Sequence, residues 1–154
     1  MVFSFAQSVK NINHKKIKNA GIKSIVLDVD GTLAHLFHKK MTEFPGIDPK
    51  IIKWIKTAKI SGFKLFILSN SSNELRVKEI ANLCNIKNYL ARGNGKRWKP
   101  WRIEKALEKL GILGPEKTVM IGNNPLWDFI APKFFGIKSI LVLPNLYKEW
   151  KGSD

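Results

Sequence analysis

The chain has 154 residues, which suits one domain, and its hydrophobic content of 44% is typical of globular proteins. No apolar run approaches the ~20 residues of a membrane-spanning helix, and the one cysteine, Cys84, excludes an intrachain disulfide. Lys and Arg total 27 against 12 Asp and Glu, so the net charge of +15 predicts attraction to RNA, DNA, an anionic lipid surface or a phosphorylated substrate. A basic surface that serves solubility alone is the alternative.

The first segment in chain order, residues 1–20, is basic and is predicted to lead into the first strand. It has neither the long apolar core nor the small-residue cleavage site of a secretory signal. Its cationic residues are Lys without Arg, which argues against a transit peptide. An amphipathic membrane anchor is the remaining alternative. We therefore expect a single domain over residues 1–154, with 1–20 as its basic N-terminal lead-in.

Four apolar runs without alternation predict strands that are buried on both faces, as in a parallel sheet. A weaker fifth strand is predicted near Tyr89-Leu90. The four main runs are Ile25-Val26-Leu27, Leu65 to Leu68, Val119-Met120-Ile121 and Ile140 to Leu143.

Helical periodicity fills the intervals between these runs. The predicted helices cover Ile51 to Ala58, Leu75 to Cys84 after a cap at Ser72 or Asn73, Ile103 to Leu110, and about Pro125 to Phe135. Cys84 is expected to be a buried structural thiol. Alternating strands and helices predict a three-layer α/β/α fold around a mainly parallel five-stranded sheet. Sites in such sheets form at the carboxyl ends of the strands.

The strongest chemical signal is Asp28-Val29-Asp30-Gly31-Thr32-Leu33, directly after the first apolar run. Asp28 can act as a nucleophile and form an aspartyl-phosphate, while Asp30 can protonate the leaving oxygen and later activate water. Both carboxylates can help to hold Mg²⁺, which prefers octahedral oxygen ligands. Gly31 and Thr32 let the backbone wrap a phosphate. For a pair of acids alone, a strand-to-loop transition without chemistry is the alternative.

Polar residues follow the other predicted strands in the order that characterises the haloacid dehalogenase (HAD) superfamily, which most of this chain resembles. The resemblance implies that Ser69, followed by Asn70, binds the oxygens of the transferring phosphoryl group. It implies that Lys99, before Pro100, neutralises charge on that group and on the nucleophile. The expected activity is that of a HAD-type phosphatase, a Mg²⁺-dependent phosphomonoester hydrolase.

The fourth motif of the resemblance, Gly122 to Asp128, departs from the family pattern at one position. Family members usually have Gly-Asp and a second acid further on, whereas here Asn123 replaces the first acid and Asp128 keeps the second. The implied metal ligands are Asp28, Asp30, Asn123 and Asp128. An Asn oxygen ligates Mg²⁺ without charge, which predicts either weaker metal binding or a fold that has lost turnover. The retained nucleophile, acid/base and lysine favour an active enzyme.

Three further stretches resemble the YqeG-type branch, which includes the mitochondrial phosphatidylglycerophosphate phosphatases. They are Gly21-Ile22-Lys23, Lys99-Pro100 and Ile140 to Pro144. The intervals from Leu33 to Leu65 and from Ser69 to Lys99 leave no room for a cap domain. An open site suits a bulky substrate, such as a lipid headgroup or a macromolecule, at the cost of poorer exclusion of water.

Several functional hypotheses follow from these features. The leading substrate is phosphatidylglycerophosphate or another bulky anionic phosphate. The alternatives are a nucleic-acid end phosphatase and a catalytically silent binding subunit of an RNA-rich assembly. Trp98 and Trp101, among basic residues, are expected to stack on bases, to rest in a lipid interface or to brace a helix. The expected location is intracellular, either cytoplasmic or mitochondrial, at the periphery of an anionic membrane.

Overall fold

The computed structural model describes residues 5–33, 47–71, 73–91, 103–112 and 114–143. Within these ranges the centre is a sheet of six strands in the order β1-β6-β5-β2-β3-β4, in which every pair of neighbours is parallel. The strands are β1 (Phe5–Ala6), β2 (Ser24–Leu27), β3 (Lys64–Leu68), β4 (Asn88–Leu90), β5 (Thr118–Gly122) and β6 (Lys138–Val142).

Helices connect the strands along the chain. They are α1 (His14–Asn19), α2 (Pro49–Ile60), α3 (Glu74–Leu83), α4 (Ile103–Lys109) and α5 (Ala131–Phe134), with 3-10 turns at Val9–Asn11 and Pro115–Lys117. A π-helical turn, Pro125–Ile130, directly precedes α5. The α/β fold predicted from alternating runs is therefore confirmed.

Two hydrophobic clusters of described residues, one on each face of the sheet, form the core. Ile25 and Leu27 of β2 pack with buried residues of α1, α2 and α3, whereas Val26 packs with those of α4. Successive side chains of a strand point to opposite faces, so an apolar run without alternation contributes side chains to both clusters. The structure thus has three layers, as the buried runs predicted.

The strand count corrects the prediction of five strands, because β1 adds a sixth at the edge beside β6. This strand has two residues, and Phe5 is 64% exposed, so it has no buried apolar run that would reveal it. The weak strand predicted near Tyr89-Leu90 is confirmed as β4. The N-terminal segment also packs onto α2, where Trp54 Nε1 donates a hydrogen bond of 2.8 Å to the Ile12 carbonyl.

The helix predicted over Leu75 to Cys84 is present as α3, but not all of the apolar residues that indicated it are buried. Leu75 is 73% exposed and Leu83 is 47% exposed, and the buried face of α3 consists of Val77, Ile80 and Ala81. The cap is Asn73, whose side chain accepts a hydrogen bond from the Arg76 amide at 3.1 Å. Cys84 after this helix is buried as predicted, and burial raises the pKa of its thiol to about 11.

No helix in the described ranges is long and apolar enough to cross a membrane.

Candidate active site

The carboxyl ends of three neighbouring strands bring the predicted site residues to one edge of the sheet. In the register, Leu27 of β2 lies opposite Ile67 of β3 on one side and Ile121 of β5 on the other. Asp28, Ser69 and Asn123 directly follow the last residues of β2, β3 and β5, so they lie at the carboxyl ends of adjacent strands. This arrangement results from the parallel sheet, whose neighbouring strands lie ~4.8 Å apart.

Asp28 continues β2 toward β5, because its amide donates a hydrogen bond of 2.9 Å to the Ile121 carbonyl. Burial raises the pKa of the Asp28 carboxyl well above its ordinary value, and the negative charges of Asp128 and Asp30 raise it further. The backbone amide of Val29 and the Arg76 guanidinium oppose this shift. A carboxyl in such surroundings ionises readily only when positive charge comes close to it.

Asp128 reaches the same region from the π-helical turn and is only 5% exposed. Burial raises the pKa of its carboxyl to about 6, although the amides of Asn124 and Asn123 donate hydrogen bonds that lower it. The bond from the Asn124 amide measures 2.9 Å. The structure thus brings together two carboxylates, on Asp28 and Asp128, that lie 100 positions apart in the sequence.

Gly122 makes room for this approach. A Cβ atom built on Gly122 would lie 2.3 Å from Asp128 Cγ and 2.4 Å from Oδ2, which is closer than real Cβ contacts come. A side chain at this position would push the Asp128 carboxylate away. The glycine of the fourth motif therefore has a steric reason to be glycine.

Asp30 is held by a residue that the sequence reasoning missed. Arg76 Nη1 on α3 lies 2.6 Å from Asp30 Oδ1, and the two side chains are 22% and 35% exposed. Charge-assisted bonds of this kind fix orientation as well as adding energy. The available signal was the position of Arg76 in the first turn of the helix after Ser69, since that helix begins at the same sheet edge.

Two hydroxyl groups predicted to bind phosphate are both buried. Ser69 is 1% exposed, and its Oγ accepts a hydrogen bond of 3.1 Å from the Ser71 amide. Thr32 is 5% exposed, and its Oγ1 has no hydrogen-bond partner among the described residues. A buried hydroxyl without a partner is costly unless something else satisfies it. Asn70 follows Ser69 at the edge of the sheet and is half-buried.

The outcome differs for two other predicted site residues, Asn123 and Lys99. Asn123 directly follows β5 and is half-buried, and its backbone amide donates one of the hydrogen bonds to the Asp128 carboxylate. Lys99 lies outside the described residues, as do Trp98 and Trp101, so their predicted roles stay predictions.

The donor set fits a divalent cation that takes few protein ligands. Among the described residues, no three carboxylate, thiol or imidazole side chains form a cluster that could by itself enclose a metal ion. Mg²⁺, however, is usually bound through one or two carboxylates together with water and substrate phosphate. Asp28 and Asp128 supply two carboxylates in one region, and Asn123 adds an amide oxygen to the same strand end.

Sequence comparison defines the family. A family model described as haloacid dehalogenase-like hydrolase matches residues 41–136. Over 140 residues the chain is 32% identical to "Probable phosphatase YqeG" of Bacillus subtilis, covering 91% of this chain and 75% of that protein. The chain belongs to the haloacid dehalogenase-like hydrolases and, within them, to the YqeG-type phosphatases.

Solved structures show the same fold. The chain is similar to a HAD phosphatase from Thermococcus onnurineus, with a TM-score of 0.61 and 15% identity over 84% of this chain and 97% of that one. It is also similar to the cobalt-bound deoxy-D-mannose-octulosonate 8-phosphate phosphatase of Haemophilus influenzae, with a TM-score of 0.57 and 23% identity over 86% and 76% of the two chains.

Proposed function

We propose that the chain hydrolyses phosphate monoesters through an aspartyl-phosphate on Asp28, with Mg²⁺ as its metal ion. The observation that carries this proposal is the meeting of Asp28 and Asp128 at the carboxyl ends of β2 and β5, next to the buried hydroxyl of Ser69. Together these groups supply an oxygen nucleophile, a partner carboxylate for a cation and a hydroxyl for phosphoryl oxygens.

Two displacements at phosphorus make up the proposed reaction. A carboxylate oxygen of Asp28 forms a bond to phosphorus while the bond to the leaving oxygen breaks, and Asp30 gives that oxygen its proton. Asp30 then accepts a proton from water, whose oxygen attacks phosphorus and releases Asp28 and inorganic phosphate. Arg76 keeps the Asp30 carboxyl oriented for both transfers through its 2.6 Å contact.

The metal ion would be held by Asp28, Asp128 and Asn123, and Asp30 is the further ligand proposed from the sequence. When bound, Mg²⁺ neutralises charge on the phosphoryl group and on the carboxylates around it. A cation would offset the cost of ionising Asp28, whose pKa is raised by burial and by the negative charge of Asp128.

The proposed substrate is phosphatidylglycerophosphate or another bulky anionic phosphate at a membrane surface. Two observations support a large, negatively charged partner: the net charge of +15, and the short spacing between motifs that leaves no room for a cap. In the described ranges the interval between Leu33 and β3 contains only α2, and residues 34–46 lie outside the description.

Turnover of a substrate panel tests this proposal. The purified chain is assayed with phosphatidylglycerophosphate in mixed micelles, a phosphate-ended oligonucleotide and a small chromogenic ester, each with Mg²⁺ and with EDTA. We expect Mg²⁺-dependent release of phosphate, fastest from the lipid. Asp28→Asn should abolish it, whereas Asp48→Asn, a change at an acid that caps α2, should not.

Other outcomes contradict specific parts of the proposal. Preference for the oligonucleotide would make the chain a nucleic-acid end phosphatase. No turnover of any substrate, with RNA binding retained, would make it a silent binding subunit. If the basic surface of the chain binds an anionic membrane, its association with anionic vesicles should weaken steeply as salt rises, since exposed charges are screened over ~10 Å at 0.1 M.

A further inference from the structure

The amino-terminal edge of the sheet, opposite the catalytic edge, carries a row of lysines. Lys117, Lys23 and Lys64 stand where the neighbouring strands β5, β2 and β3 begin. The Lys23 amide donates a hydrogen bond of 2.8 Å to the Lys117 carbonyl, and the Lys64 amide donates one of 3.0 Å to the Lys23 carbonyl. At the ~4.8 Å spacing of strands, the three backbones lie within about 10 Å.

These lysines line a depression of about 520 Å³. Its walls are turns of the chain: the turn at Gly21 after α1, the turn of Ser61 and Gly62 after α2, and the 3-10 turn that ends at Lys117. Its remaining lining residues include the buried Ile22 and Phe63. The volume lies within the range of small-molecule sites, ~300–1,000 Å³.

A fourth lysine, Lys18 of α1, also lines the depression, and its Nζ donates a hydrogen bond of 3.3 Å to the Ser61 carbonyl. None of the residues that line the depression is acidic. Within the described ranges, no carboxylate pairs with any of these four ammonium groups. Four like charges around one concavity repel one another, and an anion relieves that repulsion.

We infer that this depression, here called the lysine pocket, is a binding site for a soluble ligand that carries two or more phosphate groups. Lysine binds phosphate as a point charge, and four such charges exceed what one phosphate dianion neutralises. The pocket is walled by three turns, so a compact ligand enters it more readily than a flat membrane does. It is separate from the catalytic edge by the length of β2, about 13 Å at 3.3 Å per residue.

Binding of inorganic tripolyphosphate to the chain tests the proposed role of the lysine pocket directly. Calorimetry is performed in EDTA at low salt on the wild-type chain, on Lys23→Gln/Lys64→Gln/Lys117→Gln, and on a matched control, Lys53→Gln/Lys78→Gln/Lys105→Gln. The control removes the same charge from exposed positions on α2, α3 and α4. We expect an affinity loss of about tenfold or more in the pocket variant and of less than about threefold in the control. Equal losses in the two variants would overturn the inference, because only overall charge would then matter.

The location of the probe is read independently from amide chemical shifts of the unmutated chain. Tripolyphosphate should move the amides of Gly21, Gly62 and Lys64 and leave those of Gly31 and Gly122 at the catalytic edge unchanged. Shifts at the catalytic edge alone would overturn the inference. Orthophosphate should bind more weakly than tripolyphosphate. If the pocket variant instead loses binding to phosphatidylglycerol vesicles while keeping tripolyphosphate affinity, the surface docks on membranes and the inference is wrong.

Discussion

Replacing Asp128 with Asn should stabilise the metal-free protein at neutral and alkaline pH. The folded chain raises the pKa of this carboxyl from an ordinary 3.8 to about 6, so folding favours the protonated form. A group of this kind stabilises the fold most at low pH, and its contribution is lost as pH rises through about 6. Asn keeps an oxygen that can accept the hydrogen bond from the Asn124 amide, but it never ionises.

The magnitude of the stabilisation by Asp128→Asn follows from the size of the pKa shift of Asp128. About two pKa units correspond to about 3 kcal/mol of unfolding free energy at pH 8, where the carboxyl would be ionised in both states. Little discount for solvent screening applies, because Asp128 is only 5% exposed. For a chain of this size, the gain corresponds to about 6–12 °C in Tm.

Urea unfolding in EDTA between pH 4.5 and pH 8 is the assay. The stability of the wild-type chain should fall relative to Asp128→Asn as pH rises, and the difference between the two curves should narrow to about a third of its pH 8 value at pH 4.5. Asp48→Asn is the control, because it also removes one acid from a basic protein. Its hydrogen bond from the Lys50 amide and its pairing with Lys10 lower the pKa of Asp48, so its loss should reduce stability near neutrality. Parallel curves for wild type and Asp128→Asn would show that folding does not raise the pKa of the Asp128 carboxyl.

Three further predictions concern the catalytic edge. Asp28→Asn should remove essentially all turnover with the fold intact by circular dichroism, and Asp30→Asn should slow it by ~10²–10⁴-fold; wild-type rates in either variant would show that the assigned chemistry is wrong. Asn123→Asp should strengthen Mg²⁺ binding and raise activity at low Mg²⁺, with a smaller gain at saturation; an unchanged Mg²⁺ titration would remove Asn123 from the metal site. Gly122→Ala should cost about 1–3 kcal/mol in urea unfolding and weaken Mg²⁺ binding, because the added Cβ displaces Asp128; an alanine variant with wild-type stability and metal affinity would contradict this steric account.

The layers of the fold could be predicted because each main strand is an uninterrupted apolar run. The side chains of Ile25 and Val26 pack on opposite faces of the sheet, and an apolar run without alternation is typical of a strand that is buried on both faces. The edge strand at Phe5 could not be predicted in this way. Its pairing with Leu141 depends on backbone hydrogen bonds at an edge, which leave no apolar pattern in the sequence.

At the site, several residues could be predicted from their order along the chain, but their burial and charge contacts could not. That Asp28 follows β2 could be predicted from the end of an apolar run. The burial of Asp128 could not, because it depends on the π-helical turn and on the missing side chain of Gly122. The contact between Arg76 and Asp30 joins residues 46 positions apart, and only the packing of α3 near β2 brings them together.

In the proposed reaction, Asp28 carries the phosphoryl group during turnover. The most direct measurement is an acid quench of the chain reacting with a small labelled phosphodonor in Mg²⁺, followed by peptide mapping of the label. We expect acid-stable, base-labile label on the peptide that contains Asp28, present in the wild-type chain and lost in Asp28→Asn. Continued hydrolysis by Asp28→Asn, or label on a peptide from another strand end, would contradict it.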